Sequence, residues 1–319
     1  MVLPLTGPSA DVGLSMERAV GLTRPADERE SGIVVMDTGG TVEGAQAATA
    51  RAVSDGAALV LGPLFAREVP GVLAAAGGVP VVTFSNDGDL VGSGAFVLGI
   101  TASQGASAIL TYARSRGVRR VTAIRGADPW SRQSIETARI AARSAGLELF
   151  EIDVTDAATT NDVGALLTAS SGGSLPDAVL FSQSGSEIAP LAARIAGLGP
   201  QILGPSRWSD ETATFLDAAE GAWVAAPDPA AFGGFAQAFE AAHRTAPGLL
   251  AGLAFDGATI ARRLRSAGRL SREGLATPEG FEGALGAIRF AGDGRCTREL
   301  AIQVVDRGAL RVVGHLAGA

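Results

Sequence analysis

The chain has 319 residues, 47% of them hydrophobic, which is enough to bury two cores of ordinary size. Its 33 acidic and 26 basic residues leave a formal net charge of −7, and every basic residue is an arginine. A dispersed acidic surface argues against nucleic acid as a partner, no stretch reaches the roughly 18 uninterrupted apolar residues of a membrane span, and the single Cys296 leaves no intrachain disulfide to form.

The first strand is read at Val2-Leu3-Pro4-Leu5 and runs into the polar loop Thr6-Gly7-Pro8-Ser9 and a helix. Strands follow at 33–37, 58–61, 79–84 and 96–98, with helices at 42–54, 67–76 and 103–116. Gly56, Gly77, Gly78 and Gly117 fit the left-handed stop that glycine occupies cheaply after a helix. The beat restarts with strands at 120–124, 147–154, 178–181, 201–203 and 222–224, each leading into a helical stretch. Residues 161–174 and 227–234 are rich in turn formers and read as connections. A long helix at 249–267 precedes antiparallel strands at 286–290, 299–306 and 310–313, joined by the hairpin signals Asp293-Gly294 and Arg307-Gly308. Strands alternating with helices predict an α/β chain of parallel sheets covered on both faces, with ligands beyond the carboxyl ends of the strands.

Chemistry of the catalytic kind finds no motif. His243 and His315 have no partners at metal-ligand spacing, neither Gly7-Pro8-Ser9 nor Gly185-Ser186-Glu187 forms a nucleophile elbow, and a phosphate loop has no lysine to use. No enzyme, cofactor or metal is expected, and Cys296 reads as a buried thiol.

The order and spacing of several short motifs carry a resemblance. They are Leu5-Thr6-Gly7-Pro8, Val53-Ser54-Asp55-Gly56, Leu61-Gly62-Pro63-Leu64, Gly78-Val79-Pro80-Val81-Val82, Ala254-Phe255-Asp256-Gly257-Ala258, and Ile288-Arg289-Phe290 before Asp293-Gly294. Together they resemble the type I periplasmic binding proteins, and most of all the leucine/isoleucine/valine-receptor branch. The resemblance implies two doubly wound, Rossmann-like lobes joined by a three-crossing hinge and closing on a ligand. Residues 1–117 and 248–285 would form the N-terminal lobe, 118–247 the C-terminal lobe, and 286–319 an antiparallel tail joining the latter. The crossings would lie near Gly117, Pro247-Gly248 and Gly286. The implied function is extracytoplasmic binding of a small polar solute for an ABC-type, amino-acid-like uptake system, in the periplasm, free or lipid-anchored, with an ABC permease as partner. An alternative also follows: Gly62-Pro63-Leu64, Phe84-Ser85-Asn86-Asp87 and Arg298-Glu299-Leu300-Ala301 are similar to penicillin-binding protein activators of the same fold, which need no small ligand and would dock on a cell-wall synthase.

The same resemblance points to site residues. The loop 62–68 offers Phe65 and Arg67 but lacks the hydroxyl that the family's amino-acid receptors place there, and the next loop offers Ser85 and Asn86, either to a ligand or as a helix cap. In the second lobe, Trp130 stands where an aromatic ring covers the ligand, and Ser182 and Ser184 either read a polar ligand or cap the helix near Glu187. Ser206 and Arg207 occupy the position where amino-acid receptors carry an acidic residue for the ligand ammonium, so a zwitterion would lose its counter-charge. Asp256 either substitutes for that acid or serves helix packing.

Overall fold

The computed structural model describes residues 1–24 and 32–318. The chain divides into two compact units, Met1–Thr101 with Asp228–Arg298, and Ala102–Pro227 with Glu299–Ala319. The chain starts in the first unit with β1 (Val2–Leu3), α1 (Ala10–Gly21), β2 (Met36–Asp37), α2 (Val42–Ser54), β3 (Val60–Leu61), α3 (Val69–Ala76), β4 (Val81–Thr83) and β5 (Phe96–Val97). β1 pairs with β2, and β4 lies between β3 and β5, all in parallel. Thr41 caps α2 by accepting from the Gly44 N–H, and α3 stops at Gly77, whose φ of 57° is left-handed. Gly13 lets α1 lie against the first strand: a Cβ there would stand 2.0 Å from the Pro4 carbonyl oxygen.

The second unit follows in order as α4 (Ala102–Ser115), β6 (Arg120–Arg125), α5 (Pro129–Ala145), β7 (Glu148–Asp153), α6 (Val154–Thr159), α7 (Val163–Ser170), β8 (Ala178–Phe181), α8 (Ala189–Ala196), β9 (Gln201–Gly204), α9 (Ala213–Ala218) and β10 (Trp223–Ala226). The chain then returns to the first unit through α10 (Pro229–His243), α11 (Leu249–Ser266), α12 (Arg272–Leu275) and β11 (Ile288–Phe290). β12 (Cys296–Asp306) pairs with β11 over its first residues and then, past Arg298, runs antiparallel to β10, with Ala226 opposite Ala301. Arg307 and Gly308, with φ of 54° and 71°, make the tight turn into β13 (Ala309–Gly318). The sheet of the second unit has the order β12-β10-β9-β8-β6-β7, with β13 on β12.

The passages between units fall at Thr101/Ala102, Pro227/Asp228 and Arg298/Glu299 rather than near Gly117, Pro247-Gly248 and Gly286. Burial explains the displacement. Ala108, Ile109, Leu110 and Ala113 of α4 bury against Val121, Leu180, Leu203 and Ala225, so α4 belongs to the second sheet and Gly117 only ends it. Phe235 and Phe239 of α10 bury against Ala19 and Ala251, which places that helix in the first unit. The turn-rich 227–234 is in fact its start, since Asp228 accepts from the Ala230 N–H at 2.8 Å and Pro229 opens the first turn. Within 161–174, Asp162 caps α7 in the same way, accepting from Ala165 at 2.8 Å. The first unit's main core unites Leu3, Met16, Leu61, Phe84 and Phe96 with Leu253, Ala258 and Leu264 of α11. The second unit buries Ile124, Val179, Phe181, Trp208 and Val224 on the face of its sheet opposite α4.

Candidate functional site

At the carboxyl ends of β6, β8 and β9 the loops of the second unit are tied together by hydroxyls. Asp128 caps α5 by accepting from the Ser131 N–H at 2.9 Å. The Ser131 hydroxyl accepts from the Gly126 N–H at 2.6 Å and from the Gln183 amide at 3.2 Å, leaving its own proton for Ser182 at 2.5 Å. Ser182 in turn donates to the Ile124 carbonyl at 2.8 Å. Both hydroxyls are therefore spent on joining two strand ends, and Ser182 is not a helix cap. Ser184 is half-buried, and the 3₁₀ turn Ser186–Ile188 that begins beyond it has no side-chain cap.

Beside this relay lies a small recess of about 40 Å³. Its floor is the first turns of α4, with Gly105, Ala106 and Ile109; its walls are Trp130 and Ser134 of α5 and the ends of β8 and β9, with Pro205 and Ser206 closing it. Trp130 lines it with its ring, while its indole N–H is buried without a hydrogen-bond partner. Trp208 sets the Gly204-Pro205-Ser206 corner: it is fully buried, its indole N–H donates to the Gln183 carbonyl at 2.9 Å, and its ring packs on Phe181 and Phe215 with centroids 5.5 and 5.0 Å away. A Cβ at position 204 would stand 2.3 Å from that ring, so only glycine fits. Arg207 points outward, exposed on the same turn. The recess brings together Trp130, Ser182 and Ser206 of the expected set. It also recruits Gly105 and Ala106, for which the one sequence signal was the run Ala102-Ser103-Gln104-Gly105-Ala106.

The carboxyl ends of the first unit's strands carry a different set. Arg67, exposed, donates to the Gly40 carbonyl at 2.8 Å and lies 4.5 Å from the centroid of the Phe65 ring. Glu68, one residue on, is fully buried, with neither carboxyl oxygen hydrogen-bonded, and burial pushes its pKa up to about 7 against the opposing pull of Arg67. Ser85 is buried and committed to its own turn, accepting from the Asp87 N–H at 3.2 Å, while Asn86 is exposed. A further anchor escaped the sequence reading. Asp37 accepts from the N–H groups of Leu5, Thr6 and Gly39 and, at 2.6 Å, from the Thr6 hydroxyl. Burial pulls the Asp37 carboxyl up, yet these bonds together hold it below its usual range.

Asp256 is not at the strand ends. It is wholly buried on α11, accepting from the Ala284 N–H at 2.6 Å and pairing with the equally buried Arg298 at 3.3 Å. That pair holds the core of the first unit, which removes Asp256 from the ligand-binding set. At the two sets of strand ends stand the exposed guanidiniums of Arg67 and Arg207 and, buried without a partner, the indole N–H of Trp130.

Three comparisons bear on this geometry. The model of the periplasmic binding protein family matches residues 1–309. Among solved structures, a putative branched-chain amino acid ABC transporter protein from Rhodospirillum rubrum aligns with a TM-score of 0.78 at 21% identity, over 98% of each chain. An ABC transporter substrate-binding protein from Sphaerobacter thermophilus aligns at 0.69 and 19%, over 99% of this chain and 96% of that one. A solute-binding protein of an R. palustris ABC transporter, in complex with benzoate, aligns at 0.61 and 16%, over 98% and 94%. No curated protein matches the sequence. At these identities the structural likeness shows the fold, the type I periplasmic binding protein architecture.

Proposed function

Because the chain belongs to the periplasmic binding protein family, matched over residues 1–309, we infer that it is an extracytoplasmic solute-binding protein that captures a small organic acid and presents it to an ABC-type importer. The observation that carries the reading is the recess at the carboxyl ends of β8 and β9, lined by Trp130, Ser182, Pro205 and Ser206. The solved relatives are named for transport of branched-chain amino acids and for binding of benzoate. Among the described residues no carboxylate lines the recess to meet an ammonium, which favours acids without an amino group over free amino acids. Arg67, exposed at the strand ends of the first unit, is the cation this reading offers to the acid. Among the described residues no helix is long and apolar enough to cross a membrane, so an importer would supply the passage.

A thermal-shift panel of amino acids, aliphatic and aromatic acids, sugars, short peptides and peptidoglycan fragments tests the reading. A ligand at ~100 times its Kd adds about 2.7 kcal/mol to the folded state, a visible shift. Organic acids are expected to stabilise the protein, and Arg67→Ala to weaken the best of them about tenfold or more, the value of a charge-assisted hydrogen bond. Silence across the panel overturns solute binding and transfers the protein to the interaction-module alternative.

A further inference from the structure

At the amino ends of its strands, the end opposite the recess, the second unit gathers arginine. Arg114 lies in the last turn of α4, Arg116 just beyond it, Arg119 and Arg120 at the start of β6, and Arg143 in the last turn of α5. Local contacts bring these segments side by side. A Cβ at Gly146, the residue that ends α5, would stand 3.9 Å from the Arg114 Nε. The Glu148 N–H donates to the Arg119 carbonyl at 2.9 Å, and Asp177 accepts from the N–H groups of Arg119 and Arg120 at 2.8 and 2.9 Å. The Arg120 side chain donates to the Ser174 hydroxyl and carbonyl, next to the exposed Leu175.

A cation in a helix's last turn complements the helix dipole, which accounts for Arg114 and Arg143 but not for Arg116, Arg119 and Arg120. Arg116, Arg119 and Arg143 are exposed, and among the described residues none of the five guanidiniums makes an ion pair. Glu148 and Asp177 are the carboxylates those contacts bring alongside them, so the patch is positive in a chain whose formal net charge is −7. Beside the charges stand Leu175 and the half-buried Tyr112, whose ring centroid lies 5.4 Å from the Arg116 guanidinium. That combination suits a lipid headgroup layer, where guanidiniums meet phosphates and an apolar side chain meets the acyl boundary; an acidic protein segment would leave the leucine without a role.

We propose that this end of the second unit docks on a bilayer surface carrying anionic phospholipid, with Arg116, Arg119 and Arg143 on the phosphates and Leu175 in the headgroup layer. The recess lies at the other end of the same strands, so the docking surface stands independently of solute capture.

The test sediments the whole protein with vesicles of phosphatidylcholine alone or with about one-third phosphatidylglycerol. Binding is expected only to the anionic vesicles, falling as salt rises from about 0.05 to 0.5 M. An arginine near such a surface is worth about fivefold in partitioning, so Arg116→Glu with Arg119→Glu should weaken binding about 25-fold or more. Arg18→Glu with Arg289→Glu makes the same change of net charge at exposed positions of the first unit and should stay within about threefold of the parent. Leu175→Ser keeps every charge and should weaken binding about threefold. Absence of binding to anionic vesicles at low salt overturns the proposal, as does an equal loss in the two double variants. Polyglutamate that binds more tightly than the vesicles, with Leu175→Ser matching the parent, overturns it in favour of an acidic protein segment. A silent solute panel with vesicle binding intact sinks only solute capture, and a stabilising acid without vesicle binding sinks only the docking surface.

Discussion

Glu68 is the side chain whose placement costs the first unit most. It is fully buried with both oxygens unpaired, and its pKa is raised from the ordinary 4.5 to about 7 by loss of hydration. Between those two values the folded chain keeps a proton that the unfolded chain has released. Stability is therefore highest below the unfolded pKa and declines as pH rises through about 7, above which the folded state must bury a charge. Glu68→Gln keeps the shape and removes the titration. Urea unfolding at pH 5 and pH 8 should show the parent losing up to about 3 kcal/mol relative to the glutamine variant over that interval. Parallel pH profiles for the two proteins would refute the burial of a protonated carboxyl. The burial of Glu68 was not legible in the sequence, because nothing in Phe65-Ala66-Arg67-Glu68 reveals which way a 3₁₀ turn will rotate its third side chain.

At the scale of elements, local signals were readable where one segment satisfies itself. The apolar runs of β6 and β8 announced buried strands, and Gly77 and Gly117 marked helix ends that take left-handed φ. Long-range partnerships were not. Ser182 meets Ser131 across 51 positions, and Asp256 meets Arg298 across 42, so the first looked like a cap and the second like a ligand residue. The first turns of α10 hid behind Pro229, Gly233 and Gly234, which spell a loop until Phe235 and Phe239 find α1 and α11. Arg298 also donates to the carbonyls of Leu98 and Leu285, at 3.0 and 3.3 Å, binding β12 to α11 and to the segment after β5. Replacing one member strands the other charge in the core. Arg298→Met should cost about 3–5 kcal/mol in chemical denaturation, and the double change with Asp256→Asn should be less destabilised than Arg298→Met alone. A double variant that loses the full sum of the single effects would show that the two side chains act separately.

For the whole molecule, the consequential fact is that each unit is built from separated stretches of chain. A cut at Gly117 or Pro247, where the sequence invites one, would divide a core. In the second unit β10 depends on β12 as its antiparallel neighbour, and α4 shares a core with Leu300, Ile302 and Leu316 from the end of the chain. Residues 102–227 alone should accordingly fail to fold, exposing a long strand edge and the apolar face of α4. The register supplies a remedy. Ala226 lies directly opposite Ala301 on an antiparallel pair, so the whole excursion 228–298 spans the distance of a hairpin turn. Joining 102–227 to 299–319 through a tight Asn-Gly turn closes β10 onto β12 without altering any pairing within the sheet. The joined chain should fold cooperatively by circular dichroism and retain the Trp130 recess, because every residue lining it is present. A joined chain that stays unfolded, or a 102–227 fragment that folds equally well without its last two strands, would mean that the second unit draws its stability from somewhere other than the sheet described.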